Sequence, residues 1–168
     1  MVQAHPDARL AIIGQAPGRK VHETGIPWDD PSGNRLREWL GMDADIFYDP
    51  SRVALVPMGF CYPGKGPSGD LPPRPECAAE WHKPLFDAMP ALECVLLIGQ
   101  YAQGYYLGSD RAVSLTETVR DHQRYLPRFF PLPHPSPRNR YWLKQNPWFE
   151  SSVIPALREK IARLFEPE

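Results

Sequence analysis

Apolar residues gather in four short runs: RLAIIG (9–14), RVALVPM (52–58), CVLLIG (94–99) and RFFPLP (128–133). Three of them are aliphatic almost throughout, with none of the alternation expected of a strand wetted on one face. They predict strands buried on both faces. Between them lie stretches of helical character. SGNRLREWLG (32–41) opens on Ser32 as a cap and closes at Gly41. PECAAEWHKPLFDAM (75–89) places Ala78, Trp81 and Leu85 at helical spacing, and Pro84 is expected to kink or end it. QYAQGYYLG (100–108) is a shorter candidate. VIPALREKIARLF (153–165) is the clearest amphipathic helix, with Ile154, Leu157, Ile161, Leu164 and Phe165 on one side.

Strands alternating with helices predict an α/β protein, a three-layer α/β/α sandwich around a central, mainly parallel four-stranded sheet. No internal repeat or linker divides the chain, so residues 1–168 are expected to form a single domain. In such sheets ligands sit beyond the carboxyl ends of the strands. The segments that follow the strands, GQAPG, GFCYPGKG, GQYAQG and HPSPRN, are therefore expected to converge on one edge.

Composition narrows the picture. The formal charge is −1, so any nucleic-acid site must be a local patch. The 21 prolines are interleaved with aromatic and aliphatic residues and predict ordered loops. No apolar run is long enough to span a bilayer, and MVQAHPDARLAII lacks a basic-then-apolar leader pattern; a cytoplasmic location is expected. Cys61, Cys77 and Cys94 include no C-x-x-C pair, and reduced, structural thiols are the expectation.

The chemistry concentrates in the loops. Gly14-Gln15-Ala16-Pro17-Gly18 is a tight turn after a strand; no Gly-Lys-Ser/Thr follows and the glycine spacing fits no dinucleotide fingerprint. Trp28 lies between Pro27 and Pro31 and precedes Asp29 and Asp30. Its indole offers a face on which a base could stack, or it plugs the core; the two acids either belong to a pocket or start a helix. His134 stands between Pro133 and Pro135 in a pre-shaped loop, and a neutral histidine there donates one hydrogen bond with a fixed tautomer. The segment from Arg111 to Lys144, with Arg120, Arg124, Arg128, Arg138 and Arg140 against Glu117 and Asp121, is basic. It suits phosphate contacts, or is simply a solvated surface.

Taken in order, strand–GQAPG, GIPW, the VLLIG strand and the late HPSPRN resemble the uracil-DNA glycosylase superfamily over about residues 8–165. The nearest likeness is to its branch with a Gly-Glu-Ala-Pro-Gly first motif. The resemblance implies a DNA N-glycosylase that flips a deaminated base, uracil or another, into a pocket and hydrolyses the N-glycosidic bond. It implies that His134 stabilises the departing base, that Trp28 takes the place of a stacking Phe, and that Gln15 and Ala16 lie near the attacking water. Ala16, Pro17, Met58, Gly59 and Phe60 would contact the base. Ser136, Arg138, Asn139 and Arg140 would hold the DNA, with Lys65 and Arg74 of the polar stretch 64–76 as further phosphate partners.

This chain departs from that pattern in three places. Neither Gln15 nor Ala16 is acidic where the family carries a carboxylate, which leaves Asp29, Asp30, His22 or Asp70 to serve the water. Pro57 falls where the related branch has a base-reading Asn, so the backbone around Met58–Phe60 is expected to read the base. Of the four cysteines that hold an iron–sulfur cluster in that branch only Cys61 matches; no cluster, metal or other cofactor is expected. DNA is the expected partner of a monomer. The alternatives are a non-catalytic nucleic-acid-binding member of the fold and a hydrolase of small nucleosides.

Overall fold

A computed structural model describes residues 1–167. The four apolar runs form strands β1 (Leu10–Ile13), β2 (Val53–Leu55), β5 (Cys94–Ile98) and β6 (Phe129–Leu132). They pair in the order β2-β1-β5-β6, and every neighbouring pair is parallel. Successive side chains feed opposite cores. Leu10, Ile12, Leu96, Ile98, Phe130 and Leu132 point to one cluster and Ala11, Ile13, Val95 and Leu97 to the other. Both faces are dry, which explains the unbroken apolar runs. Pro131 is tolerated within β6 because β6 is an edge strand, where the missing N–H breaks no ladder.

Helix α1 (Arg19–Thr24) follows β1, and α2 (Pro31–Leu40) with α3 (Ala44–Phe47) leads on to β2. The cap of α2 is Asp30, not Ser32: its carboxylate accepts from Gly33 N at 2.8 Å, and Pro31 occupies the first turn, where a missing N–H costs nothing. The stretch 64–76 holds a small hairpin, β3 (Lys65–Gly66) and β4 (Gly69–Asp70). Beyond it α4 (Pro75–Cys77) runs through a π-helical turn (Ala78–His82) into α5 (Lys83–Asp87).

Pro84 therefore does not end that helix. The carbonyl its ring would strike, that of Glu80, lies inside the π turn, where the wider coil takes it out of the way. The C-terminal helix repeats the device. A π-helical turn (Phe149–Val153) precedes the last helix (Ile154–Leu164), and Pro155 faces the carbonyl of Ser151 within that turn. The helices α6 (Gly99–Leu107), α7 (Leu115–Arg120) and α8 (Arg140–Gln145) complete the chain before it, so the last helix is α9. Leu36, Trp39 and Leu40 of α2 and Leu157, Ile161 and Leu164 of α9 cover one sheet face; Ala78, Met89 and Ala102 lie on the other. The result is the three-layer arrangement read from the sequence. Among the described residues no helix is long and apolar enough to cross a membrane.

Candidate active site at the carboxyl edge of the sheet

A cleft of about 500 Å3 opens beyond the carboxyl ends of β1, β2 and β6. Its lining brings together Gln15, Ala16, Pro17, Trp28, Asp30, His134, Ser136, Arg138 and Asn139, as the sequence predicted. The loop after β5 takes no part. Gly99 enters α6 directly, and buried Gln103 donates to the carbonyls of Leu97 and Leu132, tying the ends of β5 and β6 together instead.

Trp28 is held by unusual means. It is the one non-glycine residue with positive φ, 59°, among the described residues. For a bulky residue such a conformation is strained and must be imposed by its surroundings. Those surroundings are specific. Its carbonyl accepts from Arg37 Nη1 at 3.2 Å, and the Pro27 carbonyl accepts from the Tyr48 hydroxyl at 2.7 Å. A Cβ on Gly33 would stand 1.7 Å from the Trp28 carbonyl oxygen, and one on Gly14 would stand 2.7 Å from the indole. Both glycines therefore make room for Trp28.

His134 is fixed just as firmly. The Ser136 backbone N–H donates to His134 Nδ1 at 3.1 Å. A backbone N–H can only donate, so Nδ1 is the acceptor and the neutral ring carries its proton on Nε2. Burial holds the pKa below the ordinary histidine value, with Asp30 pulling the other way. Asn139 Nδ2 donates to the His134 carbonyl at 2.7 Å and locks the proline-rich turn from behind. The outcome is an uncharged imidazole with one free donor.

Asp30 lines the cleft while one carboxylate oxygen caps α2. Asp70 is the other carboxylate in the lining and sits on β4, where it accepts from the Tyr62 hydroxyl at 3.4 Å. Asp29 is exposed and His22 packs against the Tyr62 ring; both fall outside the lining. Arg138 reaches the hairpin: a Cβ on Gly69 would meet its Nη1 at 2.8 Å. Ser68, Gly69, Asp70 and Leu71 thus wall the cleft opposite the His134 loop. Their role was not legible from sequence, because turn residues carry no periodicity that tells which way they fold.

Met58, Gly59 and Phe60 do not line the cleft, and neither do Lys65, Arg74 and Arg140, which are exposed. The backbone expected to read a base is otherwise engaged. Met58 N donates to the Gly14 carbonyl at 2.8 Å and Gly59 N to the Gln15 carbonyl at 2.9 Å. Behind them lies His82, 1% exposed, with Nε2 at 2.8 Å from the Pro57 carbonyl and Nδ1 at 2.5 Å from the Tyr106 hydroxyl. A carbonyl only accepts, so Nε2 donates and Nδ1 receives the Tyr106 proton. Burial lowers the pKa of His82 and raises that of Tyr106.

Cys61 is exposed, Cys77 half-buried and Cys94 buried in β5, where desolvation pushes its thiol up to about 11. Three cysteines on separate elements do not supply a four-cysteine cluster site, and no group of His, Cys, Asp or Glu among the described residues is placed to hold a metal.

The model of the uracil DNA glycosylase superfamily matches residues 2–158. The fold resembles the solution NMR structure of a candidate uracil DNA glycosylase from Methanosarcina acetivorans, with a TM-score of 0.57, 16% identity and 95% of each chain covered. Pedobacter heparinus SMUG2 is also similar, with a TM-score of 0.47 and 14% identity over 91% of this chain and 76% of that one. The chain belongs to the uracil DNA glycosylase superfamily.

Proposed function

We propose that the protein is a DNA N-glycosylase that removes uracil or another deaminated base after flipping it from the stack. The observation that carries this reading is the neutral His134, its Nδ1 occupied by Ser136 N–H and its Nε2–H left to donate, in direct ring contact with Trp28. Such a donor suits the oxyanion that develops on a departing base. A flat indole beside it suits a base removed from the stack.

In the proposed reaction the C1′–N bond breaks and its electron pair leaves with the base. Water adds to C1′, and its proton passes to the Asp30 carboxylate, the acid nearest in role to the one missing from the first loop. The base anion takes up a proton, and the products are free base and an abasic sugar. Arg138, and the basic residues that follow it, would neutralise flanking phosphates.

The test is incubation with oligonucleotides bearing uracil, hypoxanthine or xanthine, single- and double-stranded, scored for alkali-labile sites. Cleavage that disappears in His134→Ala supports the reading. Because Gln15 and Ala16 put no carboxylate in the first loop, a second reading is a binder that has lost catalysis; tight binding without cleavage would establish it. Hydrolysis of free nucleosides alone would point to a small-molecule enzyme.

A further inference from the structure

The wall of the cleft beside the first loop has little to offer a ligand from its backbone. Pro57 lacks an N–H and its carbonyl is paired with His82. The N–H groups of Met58 and Gly59 are spent on the carbonyls of Gly14 and Gln15. On the opposite rim the polar side chains are engaged too: Asn139 Nδ2 donates to the His134 carbonyl and Ser136 Oγ accepts from Arg138 N. The Gln15 side chain is different. It is half-buried in the cleft lining, and neither end of its carboxamide has a hydrogen-bond partner among the described residues. Its backbone is pinned by Gly59 N, so the amide projects from a fixed point. A half-buried amide without a partner is costly unless a ligand or water completes it.

We infer that the Gln15 carboxamide is the specificity-determining group of the cleft, pairing with an adjacent donor and acceptor on the edge of the bound nucleobase. The inference rests on the cleft receiving an extruded base, as proposed above. A carboxamide carries a donor and an acceptor side by side in one plane, the complement of the N–H and C=O of a lactam. Uracil, hypoxanthine and xanthine all present that edge. No neighbour holds the Gln15 amide in one sense, so either orientation is open to it. Recognition is therefore by hydrogen-bonding edge, not by the outline of one pyrimidine, and deaminated purines enter as well as uracil. His134 Nε2–H then serves the leaving base and Asp30 the water, which frees Gln15 from the water-holding role that its place in the first loop suggests.

The test measures binding, separately from cleavage. Oligonucleotides carry uracil, hypoxanthine or 2,4-difluorobenzene, a shape mimic of uracil without hydrogen-bonding groups, each on a 2′-fluoroarabinose that resists hydrolysis. The wild-type protein is expected to bind uracil and hypoxanthine about 10–100-fold more tightly than the mimic, the range of one good bidentate pair. In Gln15→Ala and in Gln15→Met, which keeps the length of the side chain, that preference collapses while affinity for the mimic is unchanged. A preference that survives both substitutions, with only the cleavage rate of ordinary substrates reduced, overturns the inference and returns Gln15 to the water. A wild-type protein that does not distinguish uracil from the mimic overturns it as well. Failure of the glycosylase reading shows differently, as no cleavage of any ordinary substrate by the wild-type protein, whatever the binding preferences are.

Discussion

The rings of Trp28 and His134 stand with centroids 6.0 Å apart and planes tilted by 30°. At that separation they are in aromatic contact, and no base fits between them. An extruded base must instead lie across the pair, stacked on one ring and donated to by the other. Residues more than a hundred positions apart thus make one recognition surface, reached through β1 on one side and β6 on the other.

Trp28 is expected to contribute mainly through stacking. Trp28→Phe should keep most of the affinity for a flipped base, whereas Trp28→Ala should cost about 1–3 kcal/mol, the usual loss for one base–aromatic stack. Titration of a non-cleavable substrate analogue measures the difference. Equal affinities in the wild type and Trp28→Ala would remove Trp28 from the site.

Asp30 has two duties that substitution separates. Asp30→Asn keeps an oxygen to accept from Gly33 N and should leave the melting temperature nearly unchanged, yet it should abolish most base removal if the carboxylate takes the proton of water. Asp30→Ala should lose both, with about 1 kcal/mol of stability gone with the cap. Single-turnover cleavage alongside thermal melts distinguishes them. Full activity in Asp30→Asn would show that the charge is not needed.

Gly33→Ala should be among the most damaging small changes in the chain. The new methyl would collide with the Trp28 carbonyl, which is backbone and cannot swing aside. A loss of about 1–3 kcal/mol or more is expected, together with displacement of the indole. Chemical denaturation reads the first and base binding the second.

Acid should act on both histidines that burial keeps neutral. The folded-state pKa values of His82 and His134 lie below the ordinary 6.5. Each therefore contributes stability that is present above that value and is lost as pH falls through the lower folded-state pKa. Protonating His134 Nδ1 also sets its proton against the Ser136 N–H, so the loop should loosen in the same window. Melting temperatures measured from pH 7.5 downward should fall in the wild type, and less steeply in Tyr106→Phe, whose His82 no longer receives the hydroxyl proton. A pH-independent melting temperature across this range would contradict the neutral assignments.

What the sequence by itself determined are the features encoded by near neighbours. Runs such as CVLLI mark strands because both faces are dry, Gly41 ends α2 because it adopts φ 62°, and the His134 turn is stiff because its prolines set it. The order of strands and loops around the edge follows from the handed, parallel connectivity of such sheets. Even so, the cap of α2 shifted from Ser32 to Asp30, since Ser and Asp are both acceptable caps and only the placement of Pro31 decides between them. The tertiary structure alone decided the rest. It spent the backbone N–H groups of Met58 and Gly59 on the first loop, left the Gln15 amide without a partner, and folded the hairpin of residues 65–70 over Arg138. These depend on which distant groups meet, and a hydrogen bond or a steric gap between segments leaves no mark on the local spacing of residues.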